Sequence, residues 1–213
     1  MFDKVSVIKA KPTVCKYIVA NPKAFLDPAN DNIVKNYGFD VSTIDKDMPL
    51  IELARKLPVI YLADIHQEYG TLGLQLNAVS DKSLNDFHPA LKMLRDRPVY
   101  NGGLQNRGSS FTMVHQKIGF PDNRAWKGLP GNTEFKLFFS PDVAMANELC
   151  STKDAKPNDF KFFQFTTVWS PKQLDLEYEK MLWLTVEGPV HMIFEDDKIN
   201  CPLWRRIVAS LHL

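Results

Sequence analysis

The sequence predicts a single domain in which short strands alternate with short helices. Three observations lead there. The chain has 213 residues, enough for one substantial core. Its longest apolar runs, Val59–Ala63 and Leu182–Val186, are strand-sized, and none nears the roughly 18 residues that would cross a bilayer. Two strong helix-start signals, Ser140-Pro141-Asp142 and Ser170-Pro171-Lys172-Gln173, each follow a strand-like run directly.

Composition narrows the class. Hydrophobic residues make up 45% and charged residues 24%, the balance of a folded chain rather than a disordered one. A net charge of +1 removes the strongest sequence argument for a nucleic-acid or anionic-membrane partner. Cys15, Cys150 and Cys201 are odd in number, scattered and without CxxC spacing. That speaks against a disulfide scaffold or a zinc site and fits an intracellular, reducing compartment, cytoplasm or organelle matrix. Lys4, Lys9, Lys11 and Lys16 interrupt the apolar h-region that a signal peptide needs.

In chain order, Tyr17–Ala20 reads as a strand stopped by Asn21-Pro22. Residues 25–50, rich in Asp, Asn and Pro, read as a loop or insertion, and Pro49 opens a short helix with Leu50, Leu53, Ala54 and Leu57 at helical spacing. Val59–Ala63 is a strand, Ile65–Glu68 a turn, and Gly70–Asn77 a strand with Leu72, Leu74 and Leu76 on one face and Gly73 and Gln75 on the other. The stripe Leu84, Phe87, Leu91, Leu94 is helical, and Pro89 suits its first helical position. Phe111–His115 and Phe135–Phe139 read as strands, and a helix runs from Ser140 to about Cys150. Phe160–Trp169 reads as one aromatic strand, followed by a helix with Leu174, Tyr178 and Met181 on one face. Leu182–Val186 is the last strand, and Pro202 opens a final helix with the stripe Leu203, Trp204, Ile207, Val208, Leu211.

The stretch Arg97–Gly108 (RPVYNGGLQNRG) concentrates the features of a site. Gly102 and Gly103 permit a positive φ or the close approach of another group. With Tyr100, Asn101 and Arg107, and with Asn77 at the end of a neighbouring strand, they could cradle a phosphate or carboxylate through backbone N–H groups and one guanidinium. The plainer reading, which we prefer, is a tight corner that fixes sheet packing. Nucleotide-binding glycine motifs are absent. The five histidines form no HxxxH or HExxH pair, so no metal site is expected. Cys150 with His115 and Asp142 could be imagined as nucleophile, base and orienter. Cys150 falls at a helix C-terminus, however, where the dipole does not favour a thiolate, and reads as a core residue. Trp169, Trp183 and Trp204 also read as core, and Glu195-Asp196-Asp197 as a solvated turn.

The order of these pieces resembles the AlgH/YqgE family. Tyr17–Pro22 looks like that family's leading strand ending in Ala-x-Pro. Gly70–Asn77 resembles its G-A-x-G-L-x-x-N stretch, and Val99–Gly103 its Tyr/Phe-x-Gly-Gly signature. Phe138–Asp142 is similar to its Tyr-Phe-Ser-x-Asp. Trp169, Gln173-Leu174, Trp183 and Trp204 match the marks of its C-terminal half. The chain departs at Ala78-Val79, where the family has Arg-Pro, and at Leu104, where a Pro is common. Further departures are Thr167-Val168 and Lys172, which stand where glycines are common. Residues 25–57 look like an added segment of loop and short helix. The resemblance implies an α+β fold over residues 1–213: a mixed, strongly curved, partly closed and barrel-like sheet flanked by helices. It brings no cofactor and no catalytic residue. Some bacterial relatives carry a transcriptional-regulator label.

Together these readings lead us to expect a non-enzymatic binding or regulatory protein. Its groove would lie beside Gly70–Asn77 and Arg97–Gly108, open to a protein partner or a small anion. An enzyme or sensor acting on a small anion at the same turn is the alternative. Direct DNA binding is least favoured, because no helix-turn-helix spacing exists and the best basic pair, Arg205-Arg206, is flanked by apolar positions.

Overall fold

The computed structural model describes residues 6–8, 16–45, 47–66, 68, 70–103, 111–116, 137–140, 142–195 and 201–210. Its strands are β1 Ser6–Ile8, β2 Tyr17–Ala20, β3 Val59–His66, β4 Gly70–Gln75, β5 Val79–Ser83, β6 Pro98–Asn101, β7 Phe111–His115, β8 Phe138–Ser140, β9 Phe160–Gln164, β10 Thr167–Trp169 and β11 Trp183–Glu187. Its α-helices are α1 Pro22–Phe25, α2 Asp31–Val34, α3 Leu50–Lys56, α4 Leu84–Phe87, α5 Val143–Ser151, α6 Gln173–Glu179 and α7 Leu203–Ser210.

The strands form two sheets. One has six strands in the order β1-β11-β2-β3-β4-β10, every neighbouring pair antiparallel. The other has five, β5-β6-β9-β7-β8, with β6 and β9 parallel and the remaining pairs antiparallel. The continuously apolar β2, buried at all four residues, takes an inner place in the first sheet, as a strand covered on both faces should.

The α+β class holds, but the single curved and barrel-like sheet does not. Both sheets are open: among the described residues the edge strands β1 and β10, and β5 and β8, do not pair with each other. The reason lies in Phe160–Trp169, which is two strands and not one. Phe165 adopts a left-handed φ of 63°, which ends β9 and delivers Thr167 into the other sheet. A continuous bend would have carried one ladder onward, whereas a break hands the chain over.

Other expectations are corrected locally. Residues 25–50 are not a loop: they form α1, α2 and the 3-10 turns Pro28–Asn30, Lys35–Tyr37 and Val41–Thr43. The Asp and Asn content that reads as loop is capping chemistry, with Asn21, Asp27 and Asp40 each accepting from the backbone N–H two residues on. Helical pieces this short carry no periodicity to detect, yet Phe25, Val34, Tyr37 and Phe39 lie in the main core. The helix expected at Pro89 lies before it, at α4, where Ser83 and Asp86 form a capping box. Asp142, not Ser140, caps α5 by accepting from the Met145 N–H at 3.0 Å. Met181 is 60% exposed and leaves the face shared by Leu174 and Tyr178, because its own φ of 57° has already ended the helix. The turn expected at Ile65–Glu68 begins later, after β3 has run to His66, and the polar strand β5 gives no apolar signal at all.

Two cores result. The larger gathers Tyr17–Ala20, Phe25, Tyr37, Val59–Leu62, Trp169, Trp183, Trp204 and their neighbours. The smaller packs Leu84, Leu94, Val99, Met113, Phe160 and Phe162 of the second sheet and α4 side against Val143, Ala146 and Cys150 of α5. Lys161, only 1% exposed, crosses between structures: its Nζ donates to Leu76 O at 3.1 Å and Glu195 O at 3.0 Å and lies 3.9 Å from the Tyr100 ring centroid. Buried charge of this kind is tolerated only when it is hydrogen-bonded.

Candidate functional site

Gly102 and Gly103 leave the end of β6 and run against the chain passing from β9 to β10. A Cβ on Gly102 would stand 2.4 Å from Phe165 O, and one on Gly103 2.2 Å from Thr166 C and Thr167 N. Close backbone approach, not a positive φ, therefore accounts for both glycines. Gly102 joins the sheets: its N–H donates to Gln164 O at 2.8 Å, and its carbonyl accepts from Gln75 N at 2.9 Å and Thr167 Oγ1 at 3.0 Å. The Asn101 N–H donates to Ala78 O at 2.7 Å. Those two amide donors belong to the fold rather than to a cradle.

The other expected site residues differ in role. Asn77 is buried, its Oδ1 accepting from Val59 N at 3.0 Å and its Nδ2 donating to Leu57 O at 2.9 Å, so it clamps the start of β3. Tyr100 is a core residue beneath Lys161. Asn101 is exposed, with its amide making no hydrogen bond among the described residues. Arg107, with Leu104 and Gly108, lies outside the described residues, as do Trp126 and Cys15.

Around this junction lies a cleft of about 270 Å³, lined by Tyr37, Gly38, Arg55, Lys56, Gln75, Asn77, Ala78, Asn101 and Gly103. It brings together Asn77, Asn101 and Gly103, as the sequence suggests, and adds residues that the sequence reading missed. Arg55 and Lys56 come from the last turn of α3, and Gly38, at φ 71°, closes the turn that carries Tyr37. Lys56 makes no ion pair among the described residues. Gln75, only 7% exposed, makes no side-chain hydrogen bond among them either. Its signal was present in the sequence as a polar residue on the face of β4 opposite the leucines. Nothing marked Arg55 or Lys56.

Behind Tyr37 stands a buried carboxylate. Glu177 of α6 accepts at Oε2 from Tyr37 Oη at 2.6 Å, Trp183 Nε1 at 2.8 Å and Trp169 Nε1 at 3.1 Å, and at Oε1 from Gln173 Nε2 at 3.1 Å. Burial, then the Glu177 charge and hydrogen bond, push the Tyr37 hydroxyl far above the ordinary phenol range. Trp169, Trp183 and Trp204 are core as expected, and the N–H groups of Trp169 and Trp183 also hold this carboxylate in place, while that of Trp204 donates to Ala20 O at 2.9 Å.

A second cleft of about 300 Å³ is lined by Gln116, Asn158, Asp159, His191 and Phe194. Several of its groups are engaged: Asn158 accepts from Arg97 at 2.8 Å, Asp159 from the Lys156 N–H at 2.9 Å, and His191 faces Glu195 at 3.8 Å. Arg206 is buried and paired with Glu195, so the Arg205-Arg206 pair does not present two surface charges. The described part of the acidic run is thus a partner for Arg206, not a solvated turn. Cys150 is buried in the smaller core and Asp142 is a helix cap. Among the described residues no cluster of three potential ligands could hold a metal ion, and no helix is long and apolar enough to cross a membrane.

The fold and the cleft define an α+β domain with a polar groove at the join of two open sheets. A family model described as DUF179, AlgH-like, matches residues 55–213. The chain belongs to this AlgH-like family. It is 27% identical over 173 residues to the UPF0301 protein VP2612 of Vibrio parahaemolyticus, covering 72% of this chain and 81% of that one. It is 30% identical over 166 residues to the UPF0301 protein PBPRA3139 of Photobacterium profundum, covering 73% and 82%. In structure it resembles protein DIP2367 of Corynebacterium diphtheriae, with TM-score 0.58 and 19% identity, covering 92% of this chain and 86% of that one. It also resembles the AlgH protein of Pseudomonas aeruginosa, with TM-score 0.55 and 19% identity, covering 95% and 90%. These last two likenesses concern the fold alone.

Proposed function

We propose that the chain is a non-enzymatic binding protein, regulatory in role, that engages its partner at the cleft between α3 and the ends of β4 and β6. The observation that carries this reading is the presence in one concave site of Lys56 and Gln75, neither of which has a side-chain partner among the described residues. Concave, mostly preformed sites with a few unsatisfied polar groups are where ligands and partners bind. Asn101, exposed at the rim, supplies a second amide. Residues 25–57 serve as an added segment of the domain and contribute one wall through Tyr37, Gly38, Arg55 and Lys56.

Affinity purification of the full chain at native salt tests this. A stoichiometric partner should be recovered with the native protein and lost with Lys56→Ala or Asn101→Ala, both exposed changes. A chain that captures nothing and turns over a substrate overturns the reading. A footprint on one defined DNA site at physiological salt overturns it too, since the buried Arg206 leaves Arg205 as the exposed member of the basic pair.

A further inference from the structure

We infer that the cleft grips a carboxylate carried next to an amide carbonyl: a small acylamino acid, or the last residue of a chain, which presents the same chemistry. The inference rests on the binding reading above and concerns what is bound.

Charge comes first. Lys56 and Arg55 stand exposed at one wall, and no acidic side chain is among the described residues that line the cleft. The Lys56 ammonium, with no counter-charge among these lining residues, favours an anion such as a carboxylate. The floor supplies the second term. Asn77 and Gln75 lie side by side in type and burial, yet only Asn77 has its carbonyl and amide engaged by the backbone. Gln75 offers one acceptor and two donors, with no partner among the described residues. Its oxygen and nitrogen stay open to the cleft, where an occupant can reach them. An occupant with its own N–H and C=O satisfies it in a paired, two-bond contact. Asn101 repeats the same chemistry at the rim. Size supplies the third term. A volume of about 270 Å³ lies just below the range of about 300–1,000 Å³ common for small-ligand pockets. It accommodates a ligand of a few carbons, or one terminal residue.

Isothermal titration of the full chain with three probes separates these terms. N-acetylglycine carries both groups, acetate only the charge, and N-acetylglycine methylamide only the amides. N-acetylglycine should bind at least tenfold tighter than either. Lys56→Ala should reduce it to the level of the methylamide, and Gln75→Leu to the level of acetate. Asn101→Ala provides a second amide-side variant if Gln75→Leu lowers the melting temperature. N-acetyltetraglycine distinguishes the sources: tighter binding than N-acetylglycine assigns a chain terminus, and weaker binding assigns a free metabolite. Equal binding of the first three probes, no binding of any, or N-acetylglycine affinity unchanged in both Lys56→Ala and Gln75→Leu overturns the inference. If no probe binds while a native partner is still captured and is lost with Lys56→Ala, the cleft is right and this ligand class is wrong.

Discussion

At single positions the structure separates packing from recognition. Gly103 has no room for a methyl group beside Thr166 and Thr167. Gly103→Ala should therefore destabilise the fold by about 1–3 kcal/mol, the usual penalty of overpacking. Asn101→Ala should leave the melting temperature almost unchanged and remove binding instead, since that amide supports nothing in the described fold. Melting curves and binding measured on the same two variants check the division: a fully stable Gly103→Ala, or an unfolded Asn101→Ala that still binds, breaks it. Lys172 gives a test of opposite sign. It precedes α6 at φ 66°, in the left-handed region that favours glycine. Lys172→Gly should stabilise by about 1 kcal/mol or less, strain relief being partly offset by the extra freedom of glycine in the unfolded chain. A lower denaturant midpoint would contradict this.

Among the elements, α6 holds the Lys35–Tyr37 turn in place through Glu177. The Tyr37 hydroxyl is raised in the folded state, first by burial and then by the neighbouring carboxylate. A group raised on folding contributes fully below its unfolded value, about 10 for a phenol, and loses that contribution as pH rises above it. Urea midpoints should thus hold between pH 7 and 9 and fall above pH of about 10. Tyr178, also raised by burial, adds to that fall. In Tyr37→Phe the midpoint should be lower at neutral pH and the alkaline fall smaller. An identical alkaline slope in both proteins would show that Tyr37 is not its source. This contact also marks the limit of what the sequence discloses. Strands with long apolar runs (β2, β3, β11) and helices with cap signals (α5, α6, α7) can be read from local chemistry. The partnership of Tyr37 with Glu177 cannot, because 140 positions separate them and neither lies in a periodic pattern. The same holds for the cleft. Asn77, Asn101 and Gly103 stand out by type, and Gln75 by its face, but Arg55 and Lys56 look like any solvated helix end until the α3 wall is seen.

For the whole molecule, the question is how two open sheets behave as one body. Lys161 is part of the answer, reaching from β9 in one sheet to the Leu76 carbonyl just beyond β4 in the other. Lys161→Ala should cost about 3 kcal/mol or more, through one buried and one partly buried carbonyl left without their donor and the space vacated beside Tyr100. Chemical denaturation read by tryptophan fluorescence and by circular dichroism should remain coincident in the native protein and separate in this variant. Coincident curves in the variant would mean that the sheets are coupled elsewhere. The Gly102 carbonyl is another tie, accepting the Gln75 N–H across the join. In hydrogen–deuterium exchange, the amide proton of Gln75 should then be lost only when both sheets come apart together. Its exchange free energy would equal that of global unfolding, and edge amides of β5 would exchange through smaller openings. A single backbone proton at the join would thus time the opening of the entire chain.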